Sequence, residues 1–228
     1  MPKKLCIAAI IIALLLSLLL TGCNSTTDNV GPAPVVSETA QTLKVFRVNL
    51  TSNPSTLDPA LATSESELLL VRALFDTLVD FRNGEIQPAL AESWTYSENG
   101  RLLTIRLQDG LKFSNGRLLT AADVEFSLER ILDGSVASPY GSLLSASIGG
   151  RDAVINSIQA IDTSTIIISF PSPRRDFIEL LAHPCFSVVC KDEVLKNQTG
   201  EGTYFSGTAF PVSGPLKMVE WIDNRSIT

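Results

Sequence analysis

The chain has 228 residues, with 18 Lys and Arg against 24 Asp and Glu, a single His and a formal net charge of −6. No Lys/Arg cluster forms the basic stripe that neutralises phosphates, so composition argues against nucleic acid as a partner. With one His, any Ser-His-Asp triad or histidine-containing metal site must use His183.

Lys3 and Lys4 precede an apolar run over residues 5–20, broken only by Ser17 and followed by Thr21-Gly22-Cys23. The run is shorter than the ~20 residues that span a bilayer, and small residues follow it where a signal peptidase cuts. Residues 1–22 are therefore expected to be an export signal. Its ending resembles the lipobox of bacterial lipoproteins, which implies that Cys23 is lipidated and becomes the new N-terminus; a plain signal with a chance Cys is the alternative. Residues 24–41 are rich in Ser, Thr, Pro and Ala, without an aromatic or basic residue. They read as part of a flexible tether over 23–42. Cleavage takes Lys3 and Lys4 from the 18 basic residues, leaving 16 against 24, a net charge of −8.

The folded part is expected over 43–228. Residues 43–50 alternate apolar and polar, the pattern of a half-buried strand. A Leu57-Asp58-Pro59 turn leads to Thr63-Ser64-Glu65-Ser66-Glu67, and then to a predicted helix with Leu68, Val71, Leu74, Phe75 and Leu78 at helical spacing. A polar helix start holds its first-turn side chains rigidly, which suits ligand recognition; equally, Ser64 caps the helix and the glutamates complement its dipole.

Asn83-Gly84 marks a turn, and Asn99-Gly100, both tolerant of positive φ, marks a hairpin joining 94–96 to 102–107. Another turn falls at Asp109-Gly110. Thr120-Ala121-Ala122-Asp123 resembles a capping box for a helix through Val124, Phe126, Leu128 and Ile131, ended by Gly134. Ala137-Ser138-Pro139-Tyr140 is a loop whose aromatic is open to either ligand contact or packing. Residues 154–161 and 165–170 form a second predicted hairpin around Asp162-Thr163. A short helix is expected over 174–182, stopped by Pro184, and then strands over 185–189 and 216–221 on either side of a polar connection at 196–207. In a strand Cys185 and Cys190 lie about 16 Å apart on opposite faces, so they read as buried apolar residues, with a disulfide only if the chain turns back.

Catalytic constellations are hard to assemble. No Gly-x-Ser-x-Gly elbow is present and Pro184 follows His183 directly. A zinc site of His183, Cys185 and Cys190 puts only the first two on one strand face and lacks a fourth ligand. Glu65 and Glu67, two apart at a helix start, face different directions and do not suit glycosidase chemistry. Trp94, Trp221 and Phe113 read as core. No enzyme activity, cofactor or metal is expected.

Taken together, Thr56-Leu57-Asp58-Pro59, Leu74-Phe75-Asp76-Thr77-Leu78, Pro88-Ala89-Leu90-Ala91-Glu92-Ser93-Trp94, and Leu111-Lys112-Phe113-Ser114-Asn115-Gly116 with Thr120-Ala121-Ala122-Asp123-Val124 resemble one family. It is the extracellular solute-binding proteins of peptide and nickel ABC importers (cluster C, family 5). Ala137-Ser138-Pro139-Tyr140 and Leu181-Ala182-His183-Pro184 point to its oligopeptide-binding branch. The similarity runs from Leu43 to Trp221. Val212-Ser213-Gly214-Pro215-Leu216 departs from the family's Gly-Thr-Gly-Pro-aromatic pattern.

The resemblance implies an α/β, type II periplasmic-binding-protein-like (Venus-flytrap) lobe, with an inserted α+β subdomain over 81–152. The second lobe is expected to be missing, because two lobes and an extra domain do not fit in this length. It also implies a monomeric receptor that captures oligopeptides through their backbones and delivers them to ABC permease subunits, on the extracytoplasmic or periplasmic side of the membrane. Matched spacing carries ligand contact to Thr63, Ser64 and Glu65, with Tyr140 as a further contact. The acid that pairs with a peptide amino terminus lies in the other lobe of relatives, so one lobe alone is expected to bind weakly or not at all. The alternatives are a nickel-chelate, haem or sugar binder, or a surface hydrolase or adhesin built on the same lobe.

Overall fold

The computed structural model describes residues 47–144, 154–197, 205 and 208–228. The chain divides into two compact units, 1–47 and 48–228. The export signal, the tether and Cys23 lie outside the described residues, as do residues 43–46 of the expected first strand; residues 47–50 of that strand are irregular. Among the described residues no helix is long and apolar enough to cross a membrane.

The larger core forms around a four-stranded antiparallel sheet of β3 (Ala91–Tyr96), β4 (Leu102–Leu107), β5 (Ser157–Ala160) and β6 (Thr165–Ser169), in the order β3-β4-β6-β5. Alternation dictates its sidedness. Leu103, Ile105 and Leu107 of β4 and Ile166 and Ile168 of β6 are buried, with Leu103 opposite Ile168 and Ile105 opposite Ile166. Each such side chain contributes about 1.5–3 kcal/mol by leaving water. Helix α2 (Ala121–Leu132) packs its stripe of Ala121, Val124, Leu128 and Ile131 into the same core. Residues on either side of 145–153 thus build one sheet, because β3 and β4 precede that stretch and β5 and β6 follow it.

At the start of α2 the buried Asp123 carboxylate accepts from the Thr120 N–H (2.9 Å), the Thr120 hydroxyl (3.0 Å) and the Lys191 N–H (3.1 Å), and pairs with Arg117 at 2.8 Å. The helix ends at Leu132 with Asp133 as its cap, one residue before the expected Gly134.

The turns follow local chemistry, with one correction. The turn predicted at Asn83 and Gly84, at φ 55° and 86°, joins β1 (Val79–Arg82) to β2 (Glu85–Pro88), a strand pair that sequence reasoning did not anticipate. In the β3–β4 connection only Gly100 takes a positive φ, of 66°. Asn99 instead uses its side chain, whose Oδ1 accepts from the Ser97 hydroxyl at 2.7 Å and the Arg101 N–H at 3.1 Å.

A second core gathers around α1 (Glu65–Leu74), where Val71 and Leu74 pack with Leu57, Phe75, Phe210 and Val212. This helix stops earlier than expected, so Phe75 and Leu78 are buried on extended chain rather than on the helix. Continuing it would need the Ala73 and Leu74 carbonyls for the next turn, but these accept from the Leu216 N–H (3.2 Å) and the Gly214 N–H (2.9 Å). Gly214 is required there: an added Cβ would sit 2.7 Å from the Leu74 carbonyl carbon. The neighbouring Ser213 hydroxyl accepts from the Asp76 N–H (3.1 Å) and donates to the Val188 carbonyl (2.8 Å).

Further corrections fall in the last third. The short helix expected over 174–182 is α4 (Phe177–Leu180), after the one-turn α3 (Gly141–Leu144). The strand expected over 185–189 is a 3₁₀ turn, Pro184–Phe186, followed by extended chain. Pro184 pre-sets the turn, and the His183 Nδ1 accepts from the Cys185 N–H at 3.2 Å. Cys185 and Cys190 are both buried and free, in keeping with their reading as apolar residues. After α5 (Lys191–Asn197), the strand expected over 216–221 shrinks to β7 (Trp221–Ile222), paired with β8 (Ser226–Ile227). The preceding N–H groups are engaged elsewhere: that of Leu216 by α1, those of Val219 and Glu220 by the Thr228 carbonyl.

Candidate ligand-binding loop

The loop over residues 55–64 is organised by two buried carboxylates. Asp58 accepts from the Ala60 N–H at 3.0 Å, and its two oxygens take both terminal nitrogens of Arg130 on α2, one at 2.7 Å. Its own carbonyl accepts from the Leu61 N–H (3.0 Å) and the Ala62 N–H (2.9 Å), closing a tight turn. Arg130 also lies over the Phe205 ring, 5.4 Å from its centroid.

Glu67 closes the other end. One oxygen accepts from the Ser55 N–H (3.0 Å) and hydroxyl (2.5 Å), the other from the Thr63 and Ser64 N–H groups, both at 2.9 Å. Ser64, in extended conformation, returns the bond by accepting the Glu67 N–H at 3.3 Å, a reciprocal capping box. Burial pushes the Glu67 carboxyl up, but the bonds from Ser55, Ser64 and Thr63 outweigh it and hold the pKa at about 2. Glu67 is therefore a structural carboxylate with both oxygens occupied, not a proton donor.

The third tie comes from residues 138–140. The Ser138 hydroxyl donates to the Ala60 carbonyl at 2.6 Å and the Tyr140 hydroxyl to the Ala62 carbonyl at 2.7 Å. The Tyr140 ring packs against His183, centroids 5.2 Å apart. With Nδ1 accepting from Cys185, neutral His183 carries its proton on Nε2, and burial and the nearby Arg72 cation lower its pKa. The potential zinc set is not assembled: among the described residues no three His, Cys, Asp or Glu come close enough to share a metal ion.

Of the residues singled out from sequence, Thr63 and Glu65 are exposed while Ser64 and Tyr140 are half-buried. The Thr63 hydroxyl and the Glu65 carboxylate make no hydrogen bond or ion pair among the described residues, whereas the Ser64 and Tyr140 hydroxyls are engaged. Sequence reasoning missed Asp58, Arg130, Ser138 and the role of Glu67. The Ser64-x-x-Glu67 spacing is a capping-box signature that could have exposed Glu67; no local pattern links Asp58 to Arg130, 72 positions away.

Comparison with known proteins places this chain in a family. A profile described as bacterial extracellular solute-binding proteins, family 5 Middle, matches residues 85–228. The probable deoxycholate-binding periplasmic protein YgiS of Escherichia coli K12 is 31% identical over 196 residues, covering 81% of this chain and 36% of that protein. The periplasmic oligopeptide-binding protein OppA of the same strain is 31% identical over 206 residues, covering 86% of this chain and 37% of the relative. Among solved structures, the unliganded open form of the murein tripeptide binding protein MppA superposes with a TM-score of 0.67 at 26% identity, covering 78% of this chain and 36% of that one. The chain thus spans about a third of the length of the curated relatives it matches. On this evidence it belongs to the bacterial extracellular solute-binding proteins, family 5, and has the α/β fold of type II periplasmic binding proteins.

Proposed function

We propose that this chain is the ligand-capturing part of a lipid-anchored, monomeric receptor that binds oligopeptides outside the cytoplasm and delivers them to an ABC permease. Cys23 is the lipidation site and residues 23–42 the tether in this reading, with two or more acyl chains giving stable attachment. Thr63, Ser64, Glu65 and the Tyr140 ring are the ligand contacts. The observation that carries the reading is the contrast within one loop. Its backbone groups are held by Asp58, Glu67, Ser138 and Tyr140, while the Thr63 hydroxyl and Glu65 carboxylate at its rim face water unpaired. A rigid scaffold carrying free polar groups is what a recognition surface needs, since little ordering entropy remains to oppose binding. Similarity to an oligopeptide-binding and a murein tripeptide binding protein supports a peptide as the solute.

The test is a titration of the ¹⁵N-labelled chain with tri- to pentapeptides to the millimolar range, where weak one-sided binding is visible. Saturable shifts at Thr63, Ser64, Glu65 and Tyr140, with the peptide recovered intact, are expected. Cleaved peptide would establish a hydrolase instead, and no shift at these residues would overturn peptide capture. The similarity to YgiS makes an amphiphilic steroid acid the second reading, so deoxycholate is titrated in parallel.

A further inference from the structure

The two hydroxyls of the 138–140 loop meet carbonyls spaced by the same two residues on the 60–62 segment: Ser138 to Ala60 at 2.6 Å and Tyr140 to Ala62 at 2.7 Å. Two side chains thus form a short ladder where no strand pairs, 78 positions apart in sequence. The Ser138 hydroxyl also accepts from the Tyr140 N–H at 3.2 Å, which locks the two donors relative to each other. Ala62 immediately precedes Thr63, so the direction of the Ala62 carbonyl fixes the peptide plane from which the exposed rim departs. Glu67 holds the N–H groups of that rim from below, at Thr63 and Ser64. On the carbonyl side the Ser138–Tyr140 ladder holds Ala60 and Ala62, just ahead of the rim, and the Ser64 carbonyl accepts from the Leu68 N–H at 2.9 Å.

We propose that Ser138 and the Tyr140 hydroxyl are positioning residues, which set the Thr63–Glu65 rim for its ligand by holding the Ala60 and Ala62 carbonyls. The proposal deepens the peptide-capture reading and rests on it for the word ligand, but the geometry it describes is tested without one. It divides Tyr140 into two parts. The ring packs against His183, and the hydroxyl is spent on the loop. Burial, with Cys185 and Glu67 nearby, raises the Tyr140 pKa, which keeps the phenol in the donating form this bond requires. Specificity then resides in Thr63 and Glu65, while residues 138–140 govern how long the rim stays in place.

The experiment is hydrogen exchange, read residue by residue by NMR, on the whole chain as Tyr140→Phe, Ser138→Ala and Ser138→Thr. Tyr140→Phe keeps the ring and removes one oxygen. Exchange at Ala62, Thr63 and Ser64 is expected to accelerate about fivefold in Tyr140→Phe and in Ser138→Ala, the worth of one neutral hydrogen bond. Ser138→Thr, which keeps a hydroxyl, is expected to match the parent. Amides of Leu103 and Ile105 in β4 are expected to stay at their parent rates. Unchanged exchange at 62–64 in both deletion variants would overturn the proposal, and so would an equal acceleration in β4, which would reduce the ladder to general stability. Titration with trialanine separates the two readings. Absence of any shift in the parent removes peptide capture, while the exchange pattern decides the ladder by itself.

Discussion

Replacing Glu67 with Gln tests the organisation of the loop most directly, because the carboxylate's worth follows from its titration. Its pKa falls from an ordinary value of 4.5 to about 2 in the folded chain. About 2.5 units at 1.36 kcal/mol each is about 3 kcal/mol of stability tied to the ionised form. The residue is 4% exposed, so solvent screening does not discount this much. A folded pKa below the unfolded one means that the contribution is complete above pH 4.5 and is lost as pH falls through about 2. Gln keeps one acceptor oxygen but turns an NH₂ toward either the Ser55 pair or the Thr63 and Ser64 pair, where donor meets donor. Urea unfolding of parent and Glu67→Gln at pH 7 is expected to show a gap of about 3 kcal/mol at unchanged m-value. At pH 3 the gap is expected to narrow by about 2 kcal/mol, since the parent has by then lost most of the contribution and Gln cannot titrate. A gap below about 0.5 kcal/mol at pH 7, or one that does not change between pH 7 and 3, would refute the reasoning; the first is within the scatter of an ordinary surface change.

Three other outcomes follow from the same geometry. Arg130→Met leaves the Asp58 carboxylate buried without its bidentate partner and is expected to cost about 3–5 kcal/mol, with Asp58→Asn/Arg130→Met recovering part of it in a double-mutant cycle by thermal unfolding. Gly214→Ala puts a methyl 2.7–2.8 Å from three backbone atoms of Leu74 and Phe75, which cannot swing aside as a side-chain tip would; a loss of about 1–3 kcal/mol in chemical unfolding is expected. Cys185 and Cys190 are buried with thiol pKa values raised first of all by desolvation, so mass spectrometry of maleimide-treated native chain at pH 7.5 is expected to find both unlabelled and urea-treated chain to label both.

Local signals in the sequence located most elements and misjudged several extents. Asn83-Gly84 formed its hairpin because both residues accept positive φ, and the 157–160 and 165–169 strands paired around Asp162 as their alternation requires. The failures share one cause. α1 was predicted through Leu78, and residues 185–189 and 216–221 as strands, from apolar spacing that cannot reveal where backbone groups find partners. Leu216 and Gly214 cap α1, and Val188 donates to the Asp76 carbonyl, through contacts that span from about 110 to more than 140 positions. Such bonds override propensity because a buried N–H or C=O must be paired somewhere.

The candidate site divides along the same line. By itself the sequence determined the family, from the ordered motifs between Thr56 and Val124, and the polar start of a helix at Ser64, because a capping residue followed by apolar helical spacing is a local signal. It also brought Thr63, Ser64 and Glu65 forward through spacing shared with a family, and Tyr140 through the Ala137-Ser138-Pro139-Tyr140 loop. Only the tertiary structure decided how these residues divide their work. It spends the Tyr140 hydroxyl and the Ser64 side chain on the loop, leaves Thr63 and Glu65 open, and sets Asp58, Glu67, Arg130 and Ser138 behind them. The reason is physical: a side chain becomes free for a ligand only when other groups satisfy the backbone around it, and those groups here come from α1, from α2 and from residues 138–140.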